Sequence, residues 1–136
     1  NDAITRAELA AMLAQFAEKK SAAIYFSDVS AGYWAANAIA LTANLGWING
    51  YPDGTFGPDK TVTRAELMAM VNRATGRAPK STSALLSGMK TWKDNADTAR
   101  WYYLDVQEAT NSHTYLGAPT ETWTSLTATP DWSQYE

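Results

Sequence analysis

The tetrapeptide Thr5-Arg6-Ala7-Glu8 decides the fold, because it recurs unchanged as Thr63-Arg64-Ala65-Glu66. A β-branched residue precedes each copy, and apolar residues follow both copies at corresponding positions. These positions hold Leu9, Met12, Leu13 and Phe16 after the first copy, and Leu67, Met70, Val71 and Ala74 after the second. Such a period is typical of proteins built from stacked supersecondary units. We therefore expect equivalent helices in successive units of a repeat.

Each copy carries the residues of a helix-capping box. The threonine hydroxyl would accept from a backbone N–H in the first helical turn, and Glu8 or Glu66 would reach back to the N-cap N–H. The arginines lack such an explanation, since a cation in the first turn opposes the helix dipole at about 0.3–1 kcal/mol. Arg6 and Arg64 therefore pair either with carboxylates between repeats or with an anionic ligand that suits the forked guanidinium.

The composition narrows the class of protein. A chain of 136 residues can form one domain with a core, and a net charge of −3 with scattered basic residues gives no indication of nucleic-acid binding. The absence of cysteine excludes disulfides and thiolate metal sites. No apolar run approaches the ~20 residues of a membrane span. The six tryptophans and seven tyrosines either pack the core or form a binding surface for sugars or a partner.

Hydrophobic periodicity predicts four helices. They would run from Arg6 to about Lys19, from near Tyr33-Trp34 to a stop at Gly46, from Arg64 to Thr75, and from Trp101 to about Asn111. Asp28 or Ser30 would cap the second helix. The glycine- and proline-rich residues 47–58 predict consecutive tight turns. After Asn111 we expect an irregular tail with short turns, anchored by Trp123, Leu126 and Trp132.

These motifs resemble the S-layer homology family. The likeness is carried, in order, by Phe26-Ser27-Asp28-Val29, Tyr33-Trp34-Ala35, Gly46-Trp47-Ile48-Asn49-Gly50-Tyr51-Pro52-Asp53-Gly54-Thr55-Phe56 and the second Thr-Arg-Ala-Glu copy. It implies an all-α, pseudo-threefold bundle of helix-loop-helix repeats in one compact domain. Residues 1–20 would be the second half of a first repeat, so that the chain opens inside an earlier unit. Residues 26–76 would be a complete second repeat, and 92–136 a divergent third repeat acting as a cap.

The resemblance also implies a function, that of a non-catalytic module anchoring exported proteins at the bacterial cell wall or surface layer. The implied ligand is a secondary cell-wall polysaccharide with ketal-linked pyruvate, bound in grooves between repeats, where the pyruvate carboxylate would meet the arginines. The third repeat lacks the loop and the arginine motif, so at most two grooves are expected. The residues carried over to ligand binding are Arg6 and Glu8 for one groove, Arg64 and Glu66 with the loop residues Asn49, Gly50, Tyr51, Asp53 and Gly54 for the other, and the sugar-facing Trp34 and Trp101.

Two other functions remain open from the residues alone. One is a structural interaction module for other surface-layer proteins, in which the arginines pair with carboxylates across repeats. The other is a carbohydrate-active enzyme. Against catalysis, both motif glutamates are explained as caps, and the sole histidine, His113, is assigned a surface or turn role. We see no cluster at metal-ligand spacing, and we predict no catalytic residue, metal, cofactor or membrane insertion.

Overall fold

The structure is a computed structural model that describes residues 3–18, 23 and 25–128. The chain divides into two compact units, Asn1–Ala74 and Thr75–Glu136. Helices α1 (Arg6–Ala14), α2 (Ala36–Asn44) and α3 (Arg64–Thr75) come first along the chain. The second unit has two short 3-10 helices, Thr82–Ala84 and Lys93–Asn95, then α4 (Tyr103–Thr110), β1 (His113–Leu116) and β2 (Thr122–Leu126). The assembly of the repeats into one domain stays a prediction.

Both capping boxes predicted from the repeat are confirmed. At α1 the Glu8 N–H donates to Thr5 Oγ1 at 3.2 Å, while the Thr5 N–H donates to Glu8 Oε2 at 2.8 Å. At α3 the corresponding distances between Thr63 and Glu66 are 3.3 and 2.8 Å. Helix α3 also ends where predicted, with Gly76 following at a φ of 67°. The repeated tetrapeptide therefore starts a helix in both places.

The core of the first unit lies between α1, α2 and the segment that joins α2 to α3. Part of the predicted apolar stripe is wrong, because Met12 and Phe16 are 57% and 78% exposed. Helix α1 ends at Ala14, so Phe16 lies beyond its last turn, and the predicted end at Lys19 falls outside the described residues. Small alanines instead share the buried face of α1 with leucines. The core consists of Ala7, Leu9, Ala10, Leu13, Ala35, Ile39, Ile48, Phe56 and Met70.

Helix α2 begins later than the sequence predicts. It starts at Ala36, and its N-cap residue Ala35 makes no side-chain capping hydrogen bond. The predicted cap by Asp28 or Ser30 is therefore wrong, and Asp28 has another role, described below. The predicted stop is confirmed, since Gly46 follows the helix with a φ of 72°. Trp34 precedes the helix and is 64% exposed, so it does not contribute to the core.

The all-α prediction is wrong, because β1 and β2 form a two-stranded antiparallel sheet. Tyr115 pairs with Trp123, and a register irregularity follows Thr114. β-branched and aromatic residues favour strands, and Gly117, with a φ of 77°, supplies a turn residue between them. Trp123 is buried as predicted, whereas Leu126 is 37% exposed. The third predicted anchor, Trp132, lies outside the described residues.

The remaining helix, α4, occupies the predicted stretch but is shorter at both ends. It starts at Tyr103, so Trp101 lies before it. Across the described part of the chain, no helix combines the length and apolar character that crossing a membrane requires.

Candidate functional site

Arg6 holds the glycine-rich loop, which we define as residues 47–58, against the start of α1. Its Nε donates to the Phe56 carbonyl at 2.9 Å, and its Nη2 donates to the Asn49 carbonyl at 2.7 Å. The guanidinium carbon lies 4.9 Å from the Tyr51 ring centre and 4.7 Å from that of Phe56. Arg6 is only 4% exposed. The guanidinium therefore joins both ends of the loop. The sequence did not indicate that Arg6 binds this loop.

Backbone hydrogen bonds attach the end of the loop to the same helix. The Arg6 N–H donates to the Lys60 carbonyl at 2.9 Å, and the Ala7 N–H donates to the Pro58 carbonyl at 3.0 Å. The Glu8 N–H is occupied by the Thr5 cap. The first-turn N–H groups that could bind an anion thus already have partners within the chain.

Asp28, which also precedes the loop in the sequence, fixes the C-terminal end of the loop. One of its carboxylate oxygens accepts from the Phe56 N–H at 2.8 Å, and the other accepts from the Gly57 N–H at 2.7 Å. Burial opposes ionisation of this carboxyl, but the two N–H donors outweigh that effect and lower the pKa of Asp28 below its usual value. The Phe-Ser-Asp motif and the glycine-rich loop are therefore one structural element.

A cavity of 410 Å³ opens beside this anchored loop, lined by Asp28, Gly57, Pro58, Asp59 and Lys60. We call it the loop cavity. The Tyr33 hydroxyl donates to Asp59 at 3.1 Å, and burial together with this hydrogen bond raises the pKa of Tyr33. The exposed Trp34 ring lies 5.9 Å from the Tyr33 ring. The cavity thus combines the carboxylates of Asp28 and Asp59, the ammonium group of Lys60 and nearby aromatic rings.

Lys60 contributes the cationic group of the loop cavity. Its Nζ lies 4.1 Å from the centre of the Tyr51 ring, a cation–π contact that holds the ammonium group close to the loop. Sequence reasoning missed Lys60, Asp59 and Tyr33. The signal was present, since all three lie within or next to the quoted motifs, but nothing in the sequence shows that Tyr33 reaches Asp59.

Several predicted ligand residues shape the loop by contacts inside it. Asp53 accepts from the backbone N–H and the hydroxyl of Thr55, at 3.0 and 2.6 Å, and the hydroxyl contributes most to a lowered pKa of Asp53. Gly54 has a φ of 84° and donates to the Tyr51 carbonyl. A Cβ on Gly50 would overlap with Cε1 of Phe26. These residues build the turn that the glycine and proline pattern predicts.

The structure groups the predicted site residues differently from the expectation. The loop residues Asn49 and Tyr51 contact Arg6, whereas the sequence assigned the loop to the groove of Arg64. Arg64 is exposed at the start of α3. Glu8 and Glu66 use their carboxylates as caps, and hydrogen bonds from the backbone and hydroxyl of Thr5 lower the pKa of Glu8.

The last predicted residue, Trp101, belongs to the second unit. It is 61% exposed, and its ring meets that of Tyr102 edge to face at a centroid distance of 5.4 Å. Its exposure is compatible with sugar contact, and its role in ligand binding stays a prediction.

Sequence reasoning also missed a buried charged cluster in the second unit. Glu108, His113 and Glu121 bring their ligand-type atoms within 4.8 Å of one another, and Arg77 contacts all three. The predicted surface position of His113 is wrong, because its side chain is only 2% exposed. The residues are far apart in sequence, and only the β1–β2 hairpin and α4 together bring them close.

Comparison with known proteins identifies the motifs of the first unit. Residues 25–68 match the family model described as the S-layer homology domain. This stretch contains Asp28, the glycine-rich loop and the second Thr-Arg-Ala-Glu copy. No solved structure matches the chain.

Three curated relatives extend this likeness. Cell surface glycoprotein 1 of Acetivibrio thermocellus is 34% identical over 125 residues, which are 83% of this chain and 5% of that protein. The cellulosome-anchoring protein of the same organism is 34% identical over 118 residues, 82% of this chain and 25% of that protein. The amylopullulanase of Thermoanaerobacterium thermosulfurigenes is 42% identical over 79 residues, 52% and 4% of the respective chains. The chain therefore spans only a small part of each relative.

Proposed function

Because residues 25–68 belong to the S-layer homology family, we propose that this chain is a non-catalytic module that holds an exported protein at the bacterial cell wall or surface layer. Two relatives are named as a cell surface glycoprotein and an anchoring protein. The match to an amylopullulanase covers only 4% of that enzyme, as expected for an accessory module. A role in anchoring thus accounts for similarity to both groups.

The loop cavity is the observation that supports this function best, and its proposed ligand is a secondary cell-wall polysaccharide. Its volume of 410 Å³ lies in the range typical of small-ligand sites. Asp59 can accept from sugar hydroxyls, and Trp34 and Tyr33 offer aromatic faces to the apolar side of a sugar ring. Both carboxylates of the cavity already accept hydrogen bonds within the chain, Asp28 from the loop backbone and Asp59 from Tyr33, which favours a role in structure and binding.

A cation beside the cavity suits a glycan that carries ketal-linked pyruvate. The pyruvate carboxylate needs a charged donor, and Lys60 supplies one in the wall of the loop cavity. Arg64, exposed at the start of α3, is proposed as the second cation for this ligand. Arg6 is proposed to act indirectly, since its Nε and Nη2 groups already hold the loop.

Calorimetric titration with purified wall polysaccharide, before and after chemical removal of pyruvate, tests this proposal. We expect removal of pyruvate to weaken binding by at least tenfold, and Lys60→Ala or Arg64→Ala to weaken binding of the intact glycan by about 10- to 150-fold, equivalent to about 1.5–3 kcal/mol. Trp34→Ala should weaken binding of both glycans equally, because it contacts sugar and not the carboxylate.

Arg73→Ala is the matched control. It removes an exposed arginine from the same helix, and nine residues at 3.6 per turn place it about 180° from Arg64. Its affinity should equal that of the unaltered chain. Binding that persists after loss of both Lys60 and Arg64, or that ignores the removal of pyruvate, would rule out carboxylate recognition. Absence of binding to any wall polysaccharide would rule out the anchoring function.

A further inference from the structure

The buried cluster in the second unit has the atoms of a metal site. The Nε2 atom of His113 lies 3.3 Å from Glu108 Oε2 and 3.3 Å from Glu121 Oε2. In a tetrahedral zinc site with bonds of about 2.0–2.1 Å, neighbouring ligand atoms lie about 3.3–3.4 Å apart. The three side chains are 2%, 3% and 0% exposed. Two edges of a zinc coordination tetrahedron are therefore already formed.

A backbone carbonyl orients the histidine ring. Its Nδ1 lies 2.7 Å from the Asn111 carbonyl oxygen, which can only accept, so Nδ1 carries hydrogen. Its Nε2 lies 3.1 Å from Nη2 of Arg77, which is a donor, and 3.3 Å from carboxylate oxygens of Glu108 and Glu121, which are acceptors. A zinc ion would bind the Nε2 lone pair. Backbone carbonyls commonly orient metal-binding imidazoles in this way.

A second group of contacts fixes the ligands. The Trp123 indole N–H donates to Glu108 Oε2 at 3.0 Å, and the Trp123 ring stacks on the His113 ring at 4.1 Å. The Glu121 backbone joins residues 78 and 80 through hydrogen bonds of 2.7 and 2.8 Å. The side chains thus cannot move apart without disrupting α4 and the hairpin, and preorganisation of this kind favours binding of an ion.

Arg77 contacts all three members of the cluster. Its Nη2 lies 2.9 Å from Glu108 Oε1, 3.1 Å from His113 Nε2 and 3.2 Å from Glu121 Oε2, and its Nε donates to Glu121 Oε1. One guanidinium carries a single positive charge beside two buried carboxylates. A dication would neutralise both carboxylates and bind all three side chains at once.

We propose that Glu108, His113 and Glu121 bind a Zn²⁺ ion, with Arg77 Nη2 filling its place in the metal-free protein. Imidazole and carboxylate ligands in tetrahedral arrangement suit zinc better than calcium or magnesium, which prefer six or more oxygens. The side chain of Arg77 is 31% exposed. Its rotation into solvent, which breaks the Nε bond to Glu121 and the contact with the Tyr115 ring, would open an entry path. Water would take the fourth position, and the ion would join α4 to the β1–β2 hairpin.

Zinc titration of the full chain, produced without a polyhistidine tag, tests the site. His113 is the sole histidine, so long-range ¹H–¹⁵N spectra report on this one imidazole without ambiguity. We expect one Zn²⁺ per chain by calorimetry, a shift of the Nε2 resonance on binding, and retention of the hydrogen on Nδ1. This readout needs no variant, so it does not depend on any substitution folding correctly.

Paired substitutions distinguish zinc binding at the cluster from zinc binding to exposed carboxylates elsewhere in the second unit. Glu121→Gln should weaken zinc binding by about 100-fold, whereas Asp97→Asn, which removes an exposed carboxylate from the same unit, should leave it unchanged. Arg77→Met should strengthen binding at least tenfold by removing the competing cation, and Arg100→Met, which breaks the exposed pair with Asp97 at 3.2 Å, should have no effect.

Three results would each overturn the proposal. They are absence of saturable zinc binding by the unaltered chain, binding by Arg77→Met alone, and binding in which the Nε2 resonance does not move. The second result would make Arg77 a permanent partner and the cluster a purely structural set of ion pairs.

Discussion

Replacing Arg6 by alanine should destabilise the first unit strongly, although its copy at Arg64 should tolerate the same change. The Arg6 side chain donates to the carbonyls of Phe56 and Asn49 and lies against two aromatic rings. Alanine would remove these donors while leaving the Phe56 carbonyl buried. The variant therefore tests whether one side chain holds both ends of the glycine-rich loop.

The expected magnitude follows from the separate contacts. A hydrogen bond from a charged donor contributes about 1.5–3 kcal/mol, but water can reach the Asn49 carbonyl, so we count that bond at half weight. The cation–π contacts add about 0.5–1 kcal/mol, and relief of the helix dipole returns about 0.3–1 kcal/mol. We expect a net loss of about 3 kcal/mol, equivalent to more than a hundredfold in the unfolding equilibrium.

Urea denaturation followed by circular dichroism measures this loss, and hydrogen exchange locates it. The amides of Tyr51, Phe56 and Gly57 donate within the loop or to Asp28, so they should exchange faster in Arg6→Ala. Arg64→Ala is the control and should cost at most about 1 kcal/mol, as for exposed ion pairs. Equal losses for the two variants, or unchanged exchange in the loop, would refute the assignment of Arg6 to the loop.

Three further predictions concern the same unit. Gly50→Ala should destabilise it by about 1–3 kcal/mol, because the new Cβ would overlap with Phe26. Gly32→Ala, with open space around the new Cβ, should be near neutral in the same urea experiment. Similar effects of both variants would contradict the close approach of Gly50 to Phe26. Thr63→Ala should lower the free energy of unfolding by about 1 kcal/mol through loss of the α3 cap. Thr63→Ser should retain most of that stability, because serine can also cap a helix. A serine variant as unstable as the alanine variant would argue against the cap. The pKa of Asp28 is lower in the folded state than in the unfolded state, so the ionised carboxylate contributes to stability above the unfolded-state pKa of about 3.9. This contribution is lost as the pH falls through the folded-state pKa. The loss of stability caused by Asp28→Asn should therefore shrink between about pH 5 and pH 3. A stability difference that does not depend on pH would be inconsistent with an ionised Asp28 holding the loop.

The helix starts of the first unit could be predicted because their determinants are local. A capping box involves residues three positions apart, and both boxes form as the sequence indicates. The stops at Gly46 and Gly76 are likewise local, since each glycine adopts a positive φ. The extent of the buried face was harder to predict, because the small Ala7 and Ala10 are buried while the larger Met12 and Phe16 are exposed.

The two-stranded sheet and the charged cluster depend on contacts between distant residues. Strands of four and five residues give weak periodic signals, and the register of β1 on β2 is not visible in either strand alone. No sequence motif marks Glu108 or Glu121, whose side chains are 3% and 0% exposed. Charged residues are almost never buried unless paired, and their partners come from different elements.

Arg6 and Arg64 occupy the same position of the repeated tetrapeptide but have different environments. Arg6 is buried against the glycine-rich loop, whose Phe56 and Asn49 carbonyls accept from its guanidinium. Arg64 is exposed at the start of α3. The threonine and the glutamate cap the helix in the same way in both copies, because the capping box is a local interaction. The burial of Arg6 depends instead on carbonyl acceptors more than 40 residues away in the chain, so the tetrapeptide alone does not determine the role of its arginine.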